Sequence, residues 1–291
     1  AYVKNILASE YNGRVYPQIR PLGAATGRNS ISNPALQQIP SSIDDVRNGF
    51  FVDVAIDYAS QEVRAAAVWS QDKVLCGQLR RGENPMNDLC VKIFGPHYTK
   101  EEKGGVKVIV YASLYGGGVD TIADQTGEDE DLVRETRKTW NETYYEYKEW
   151  SDHETEQAKM LDYVIGWDGR VMPIPRAKDP DTGRWKRLPY VASNRKIQSF
   201  GAWIMKKSIR NIFETTPYGD CIVLPVHDEL DFRNPPDGDV QKMISTVVPC
   251  MEDTIRGIHF PVEVEIMKDG RWKGHGVAHV EEEAETDDIP F

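Results

Sequence analysis

Leu224-Pro225-Val226-His227-Asp228-Glu229-Leu230-Asp231-Phe232 is the stretch on which the fold turns. Apolar runs from Ile222 to Val226 and from Leu230 to Phe232 flank a polar tripeptide, a pattern that predicts two short strands joined by a tight turn. Asp228 and Glu229 are expected at the tip. Adjacent carboxylates repel unless a cation sits between them and a third acid, and Mg²⁺ suits such a place because it prefers hard oxygen ligands. The candidate third acid is Asp57. It ends the run Phe50-Phe51-Val52-Asp53-Val54-Ala55-Ile56, which reads as a buried strand delivering its last residue to a sheet edge. Two such strands side by side would form a two-metal site. Taken alone, His-Asp-Glu is a common surface turn and Asp57 an ordinary strand end, so the weight rests on the stretches around them.

The chain has 291 residues, 40% of them hydrophobic, enough for one large domain or two small ones with a real core. No apolar run approaches the length of a membrane span and no signal peptide opens the chain, so a cytoplasmic protein without a membrane partner is expected. Cys76, Cys90, Cys221 and Cys250 lack paired metal spacing and are too few for a disulfide framework; reduced packing thiols are expected. The formal charge is -11, and six acidic residues fall within the last eleven positions, which leaves -5 for the rest. Basic residues gather at Arg14 to Arg28, Lys100 to Lys107 and Arg170 to Arg210, compatible with a basic channel in an acidic protein. Residue 1 is alanine, so a longer product or processing is expected.

Asn12-Gly13 reads as a hairpin turn before an extended Arg14-Val15-Tyr16. Ala25 to Pro40 is polar with little apolar periodicity and reads as a loop, although its Arg, Asn and Gln side chains are also the types that reach duplex phosphates and groove edges. Asp57-Tyr58-Ala59-Ser60-Gln61-Glu62-Val63-Arg64, followed by alanines, predicts a strand turning into a helix.

That last stretch resembles the first polymerase motif of family A DNA polymerases, the bacterial DNA polymerase I type and its phage relatives. The family pattern is Asp-Tyr-Ser-Gln-Ile-Glu-Leu-Arg, and Asp57, Tyr58, Glu62 and Arg64 stand at matching positions. Val226-His227-Asp228-Glu229 is similar to the third motif. Thr26-Gly27-Arg28, Asn33-Pro34, Leu36-Gln37 and Ile39-Pro40 match the family's Thr-Gly-Arg to Ile-Pro segment. The second motif is met by Lys103, Lys107, Tyr111 and Tyr115, with Gly116 next; on a helix these four share one stripe. Composition points the other way, because Val106, Val108, Ile109 and Val110 favour a strand. A helix is expected on the resemblance. Leu132, Val133, Trp140, Tyr144, Tyr147 and Trp150 lie near helical spacing and read as packing. Asp168-Gly169-Arg170 resembles the family's Gly-Arg turn, in a form closer to phage members, and Asn194 and Gln198 sit one turn apart where the family contacts the primer-template minor groove.

The resemblance implies an α+β fold: an antiparallel palm sheet with helices and a helical fingers insertion, a right-hand polymerase without a visible thumb. Implied boundaries are palm over 1–74 and 166–275, fingers over 75–165 and an acidic disordered tail over 276–291. It implies template-directed transfer of dNMP to a primer 3′-hydroxyl. Asp57 and Asp228 would hold two Mg²⁺ ions, for which Mn²⁺ can substitute, with Glu229 assisting. Lys103, Lys107, Tyr111, Tyr115 and Glu62 would meet the dNTP, with Glu62 excluding a 2′-hydroxyl. Arg28, Asn33, Gln37, Arg64, Asn194, Gln198 and His227 would meet DNA. The family's Asp-Ile-His element is replaced by Asn84-Pro85-Met86, and the residue before Tyr111 is Val110. The terminal Asp287-Asp288-Ile289-Pro290-Phe291 is similar to the acidic tip of bacterial single-stranded DNA-binding proteins, which implies docking on replication partners; covering the chain's own basic cleft is the competing reading. A thumb and exonuclease would come from an upstream segment or a separate chain. Two alternatives stand beside this: a catalytically weak replication fragment that binds DNA or partners, and an unrelated carboxylate-metal nuclease, which leaves the Lys103-to-Tyr115 stripe, Asn194 and Gln198 unexplained.

Overall fold

The computed structural model describes residues 2–39, 44–179, 182–272 and 278–279. A short helix α1 (Tyr2–Ala8) leads into the hairpin β1 (Glu10–Tyr11) and β2 (Arg14–Val15), with Asn12-Gly13 at its turn as expected. Strands β3 (Gln18–Arg20) and β4 (Ser30–Ser32) pair antiparallel, and a 3₁₀ turn follows at Leu36–Gln38. The polar segment from Ala25 to Pro40 is therefore not all loop. Ile31, Leu36 and Ile39 are buried and give it local order that its polarity conceals.

After α2 (Asp44–Arg47) comes β5 (Val54–Tyr58), then α3 (Gln61–Ser70), α4 (Lys73–Arg80), α5 (Pro85–Phe94), α6 (Lys100–Leu114), α7 (Val119–Thr126), α8 (Glu130–Thr143) and α9 (Tyr145–Leu161). Two small hairpins, β6 (Tyr163–Ile165) with β7 (Val171–Pro173) and β8 (Arg176–Lys178) with β9 (Trp185–Arg187), precede the long helix α10 (Ala192–Thr215). The chain closes with β10 (Ile222–Val226), β11 (Glu229–Phe232), α11 (Val240–Met251), the hairpin β12 (Asp253–Ile255) and β13 (Ile258–Phe260), then β14 (Val262–Ile266) and β15 (Ala278–His279).

The main sheet has the order β10-β11-β5-β14-β15, with each neighbouring pair antiparallel. Because side chains alternate along a strand, its two faces differ. Val54, Ile56 and Tyr58 of β5, with Leu230 and Phe232 of β11, enter the large core that they share with α3, α10 and α11. Ala55, Leu224 and Val226 point the other way, into a smaller cluster with Ile31, Leu36, Ile39, Val52, Met267 and Trp272. Asp57 and Glu229, two residues from Ala55 and paired with Val226 respectively, belong to that second face. The fold class is α+β as expected. Ala278–His279 pair with β14, so the chain is still in the sheet inside the span expected to be tail. Asp287 to Phe291 lie outside the described residues.

Helix α6 forms despite its β-branched residues. Thr99 caps it: its hydroxyl accepts from the Glu102 N–H at 3.2 Å, while Glu102 accepts from the Thr99 N–H at 2.6 Å. Val106, Ile109, Val110 and Leu114 are buried at helical spacing, which outweighs a propensity difference of order 1 kcal/mol. The aromatic stripe is packing, as expected, and it spans α8 and α9 with a break at Tyr144: Trp140 meets Tyr144 and Tyr147 edge-on at 4.5 and 5.8 Å. The cysteines are free thiols. Among the described residues no helix is long and apolar enough to cross a membrane.

Candidate active site

Two adjacent strands build the site. Antiparallel pairing puts Glu229 opposite Asp57, and the Tyr58 N–H donates to the Asp228 carbonyl at 3.2 Å. The turn between β10 and β11 is His227-Asp228 alone. Glu229 is therefore not at the tip: it is the first residue of β11 and is buried, because the register Val226↔Glu229 closes the ladder there. Strand β5 is flanked by β11 and β14 rather than at an edge, and only the Val54–Tyr58 part of the expected run is strand. Among the described residues no three His, Cys, Asp or Glu side chains are grouped to hold a metal. What remains of the expected trio is a pair, Asp57 and Asp228, beside one another at one end of the sheet.

Burial, with Glu62 next in effect, pushes the Asp228 carboxyl up to about 6; Glu229 adds to it and Arg28 opposes. Two hard oxygen donors, with the carboxylates of Glu62 and Glu229 acting on the same site, fit a divalent ion such as Mg²⁺. Its other ligands would come from backbone, water or substrate.

Helix α3 enters through Ser60, whose φ of 53° is left-handed, and this sharp entry carries Glu62 in its first turn. One oxygen, Glu62 Oε1, accepts the Tyr115 hydroxyl at 2.5 Å and lies 3.1 Å from Arg28 Nη2. Burial and then Glu62 push the Tyr115 hydroxyl up to about 12. Burial lowers the Arg28 pKa, but Tyr115 and Glu62 together outweigh it and the net shift is upward. Burial likewise pushes Tyr111 up to about 12; a hydrogen bond with Ser60 opposes this, while Glu62, Asp228 and Asp57 add to it. Tyr111 thus lies in the field of all three carboxylates. Lys107 Nζ stands 5.9 Å from the Tyr111 ring centroid, and Lys103 is one turn earlier, half-buried. The second-motif stripe and the carboxylate pair are brought together.

His227, with φ 54°, has its pKa lowered by burial first and by Arg28 next, and it hydrogen-bonds the Gln37 backbone. Arg28 and His227 therefore both lie within electrostatic reach of Glu62, and the Gln37 backbone is joined to them through His227. Asn33 is apart from them and exposed, its amide 3.4 Å from Gln18. Arg64 is engaged elsewhere: Nε donates to the Ala59 carbonyl and Nη1 to the His259 carbonyl, both at 2.8 Å, tying α3 to β13. Asn194 is buried and Gln198 half-buried on α10; with Gly201 they follow one helical stripe. A Cβ on Gly201 would lie 2.3 Å from Gln61 Oε1 and 4.0 Å from Arg28 Nη2, so that stripe runs toward Arg28.

Sequence reasoning missed Ser60 and Glu263. Glu263 is exposed opposite Asp57 on the other flank of β5. Its signal was the alternation Val262-Glu263-Val264-Glu265-Ile266, a strand with one acidic face. Ser60 has no local signal, since its role depends on α6 packing over it.

Comparison with known proteins identifies the family and the fold. Residues 1–274 match the family described as DNA polymerase family A. The DNA polymerase of Mycobacterium phage D29 is 30% identical over 226 residues, 75% of this chain and 35% of that protein. DNA polymerase I of Chloroflexus aurantiacus is 27% identical over 282 residues, 91% of this chain and 30% of that one. The chain spans about a third of the length of these relatives. Among solved structures, the POL domain of Pol1 from M. smegmatis, in complex with DNA primer-template and dNTP, superimposes with a TM-score of 0.77 at 22% identity, covering 93% of this chain and 50% of that one.

Proposed function

The chain belongs to DNA polymerase family A, and from that premise we propose that it carries out template-directed addition of dNMP to a primer 3′-hydroxyl. One observation carries the reading: Asp57 on β5 and Asp228 in the turn that opens the neighbouring strand β11 both act electrostatically on Tyr111, with Glu62 bonded to Tyr115 and to Arg28. Asp57 and Asp228 would hold two Mg²⁺ ions, with Mn²⁺ able to replace them. When bound, such ions lower the pKa of the primer hydroxyl and neutralise the leaving pyrophosphate. The protein's own groups bind and orient. Lys103 and Lys107 take the triphosphate as point charges, and Tyr111 packs against the sugar and base. Glu62, held by Tyr115 and Arg28, occupies the space a 2′-hydroxyl would need. Arg28, His227 and the stripe of Asn194 and Gln198 face the primer-template duplex. Glu229, buried in β11 opposite Asp57, assists the two aspartates.

In this reading residues 1–74 and 166–275 form the palm and 75–165 the fingers, whose closure carries α6 inward. The acidic end of the chain serves a replication partner. Deleting residues 281 to 291 should then weaken partner binding or alter salt sensitivity; no change in either removes the tail proposal.

The test of function is primer extension with Mg²⁺ and four deoxynucleotides, beside Asp228→Ala. Extension abolished by the substitution supports the proposal. Primer-template binding without extension favours the catalytically weak binding fragment, and neither activity refutes both.

A further inference from the structure

We infer that Lys206 is a positioning residue for sugar selection: from α10 it fixes the Gly27 peptide, and through Arg28 it fixes Glu62. This rests on the role of Glu62 proposed above. The Lys206 ammonium donates to the Gly27 carbonyl, a contact between residues 179 apart in sequence. Gly27 is also gripped from its Cα side. Its φ is +81°, and a Cβ there would meet Arg170 Nε at 3.0 Å, so the guanidinium lies directly against the backbone. Arg170 is itself held by Asp168 at 3.3 Å. The peptide is thus clamped between two cations on different elements.

That clamp is not a low-energy default. Burial lowers the Lys206 pKa, Arg170 lowers it further, and Asp168 alone opposes them. Burial beside a like charge disfavours the ammonium form, and the contact with the Gly27 carbonyl offsets that cost. Directly after Gly27 comes Arg28, 3.1 Å from the same Glu62 oxygen that takes the Tyr115 hydroxyl. Helix α10 meets the pair from a second direction as well, because Gly201 leaves room for Gln61, the residue preceding Glu62, and comes close to Arg28. The order of action is therefore α10 to Gly27, Gly27 to Arg28, Arg28 to Glu62.

A plain structural anchor would alter stability or overall rate, but not the choice between deoxy- and ribonucleotide through Glu62. The experiment compares kcat/KM for a dNTP and the matching rNTP in wild type, Lys206→Met, Lys206→Arg, Glu62→Ala and the Lys206→Met/Glu62→Ala double variant, with thermal melting as the check on folding. Lys206→Met should lower the dNTP preference by about tenfold, within the roughly hundredfold that an ångström of misplacement can cost. Lys206→Arg, which keeps a charged donor, should retain most of it. In the Glu62→Ala background Lys206→Met should have no further effect, the non-additivity expected of groups acting in series. An unchanged preference in Lys206→Met while Glu62→Ala relaxes it overturns the inference alone, as does an undiminished effect in the double variant. An unchanged preference in Glu62→Ala overturns the role of Glu62 and this inference with it. If the Met variant does not fold, Lys206→Gln takes its place. If wild type does not extend primers, the ratio of equilibrium dissociation constants for dNTP and rNTP is compared across the same variants, with the same ranking expected and its absence overturning the inference.

Discussion

Replacing Glu62 with alanine tests the sugar gate most directly, and the structure sets the size of the effect. For a 2′-hydroxyl to be admitted, Glu62 must leave its place, which breaks the 2.5 Å bond from Tyr115 and the 3.1 Å contact with Arg28. A hydrogen bond to a charged group contributes roughly 1.5–3 kcal/mol. The ion pair, whose side chains are 21% and 14% exposed, adds at most about 1 kcal/mol. Together they make displacement cost roughly 2–4 kcal/mol, a preference of about 30- to 700-fold for the deoxynucleotide at 1.4 kcal/mol per tenfold. Glu62→Ala opens the space outright and should remove most of that factor. Glu62→Gln keeps the volume but weakens both bonds, so it should lose about tenfold or less. Single-nucleotide incorporation with dNTP and rNTP, read as the ratio of kcat/KM, is the assay. A ratio in Glu62→Ala within about threefold of wild type would refute the reasoning, since a group whose departure costs more than 1 kcal/mol cannot leave so small a trace.

Tyr111→Phe removes a hydroxyl that is bonded to Ser60 and lies in the field of Glu62, Asp228 and Asp57; dideoxynucleotides should become poor terminators in primer extension, and equal use by both forms would end the assignment. Asp72→Ala should destabilise the protein strongly. Asp72 caps α4 through Leu75 N–H at 2.9 Å and accepts the Glu146 and Tyr147 N–H groups of α9 at 3.0 and 3.1 Å. A lost cap of about 1 kcal/mol and two donors stranded at roughly 1–3 kcal/mol each give a loss of at least ~3 kcal/mol in urea unfolding. A change under about 1 kcal/mol would mean that water replaces the carboxylate.

The chemistry of the site was more legible in the sequence than its geometry. Asp57 and Asp228 could be singled out because each follows an apolar run that ends at or beside an acid, whereas the Lys103-to-Tyr115 stripe was legible through its resemblance to the second motif of the family. The register of β10 and β11 could not be read, because whether a turn holds two residues or three depends on which pairs close the ladder; Glu229 consequently moved from the tip into the strand. Helix α6 shows the opposite case. Its capping box at Thr99 and its buried stripe from Val106 to Leu114 were both in the sequence, yet β-branched composition concealed them. Arg64 was assigned by position alone, and only tertiary packing reveals that its donors are used on Ala59 and His259. Lys206 had no local signal, since its partner is 179 residues away.

Strand β5 also governs when the protein can fold as it is made. Its two neighbours, β11 and β14, both come from the last third of the chain, pairing Asp57 with Glu229 on one side and with Glu263 on the other. Until residue 266 has left the ribosome, one flank of the strand that carries the first carboxylate stays unpaired, and before residue 229 both flanks do. During that interval an apolar strand with open hydrogen-bonding edges is exposed to other nascent chains. The long-range pairing that assembles the site also makes its assembly a late event with a high loop-closure cost. A chain stalled midway through synthesis would therefore hold half of its carboxylate pair and a sticky strand in place of an assembled site.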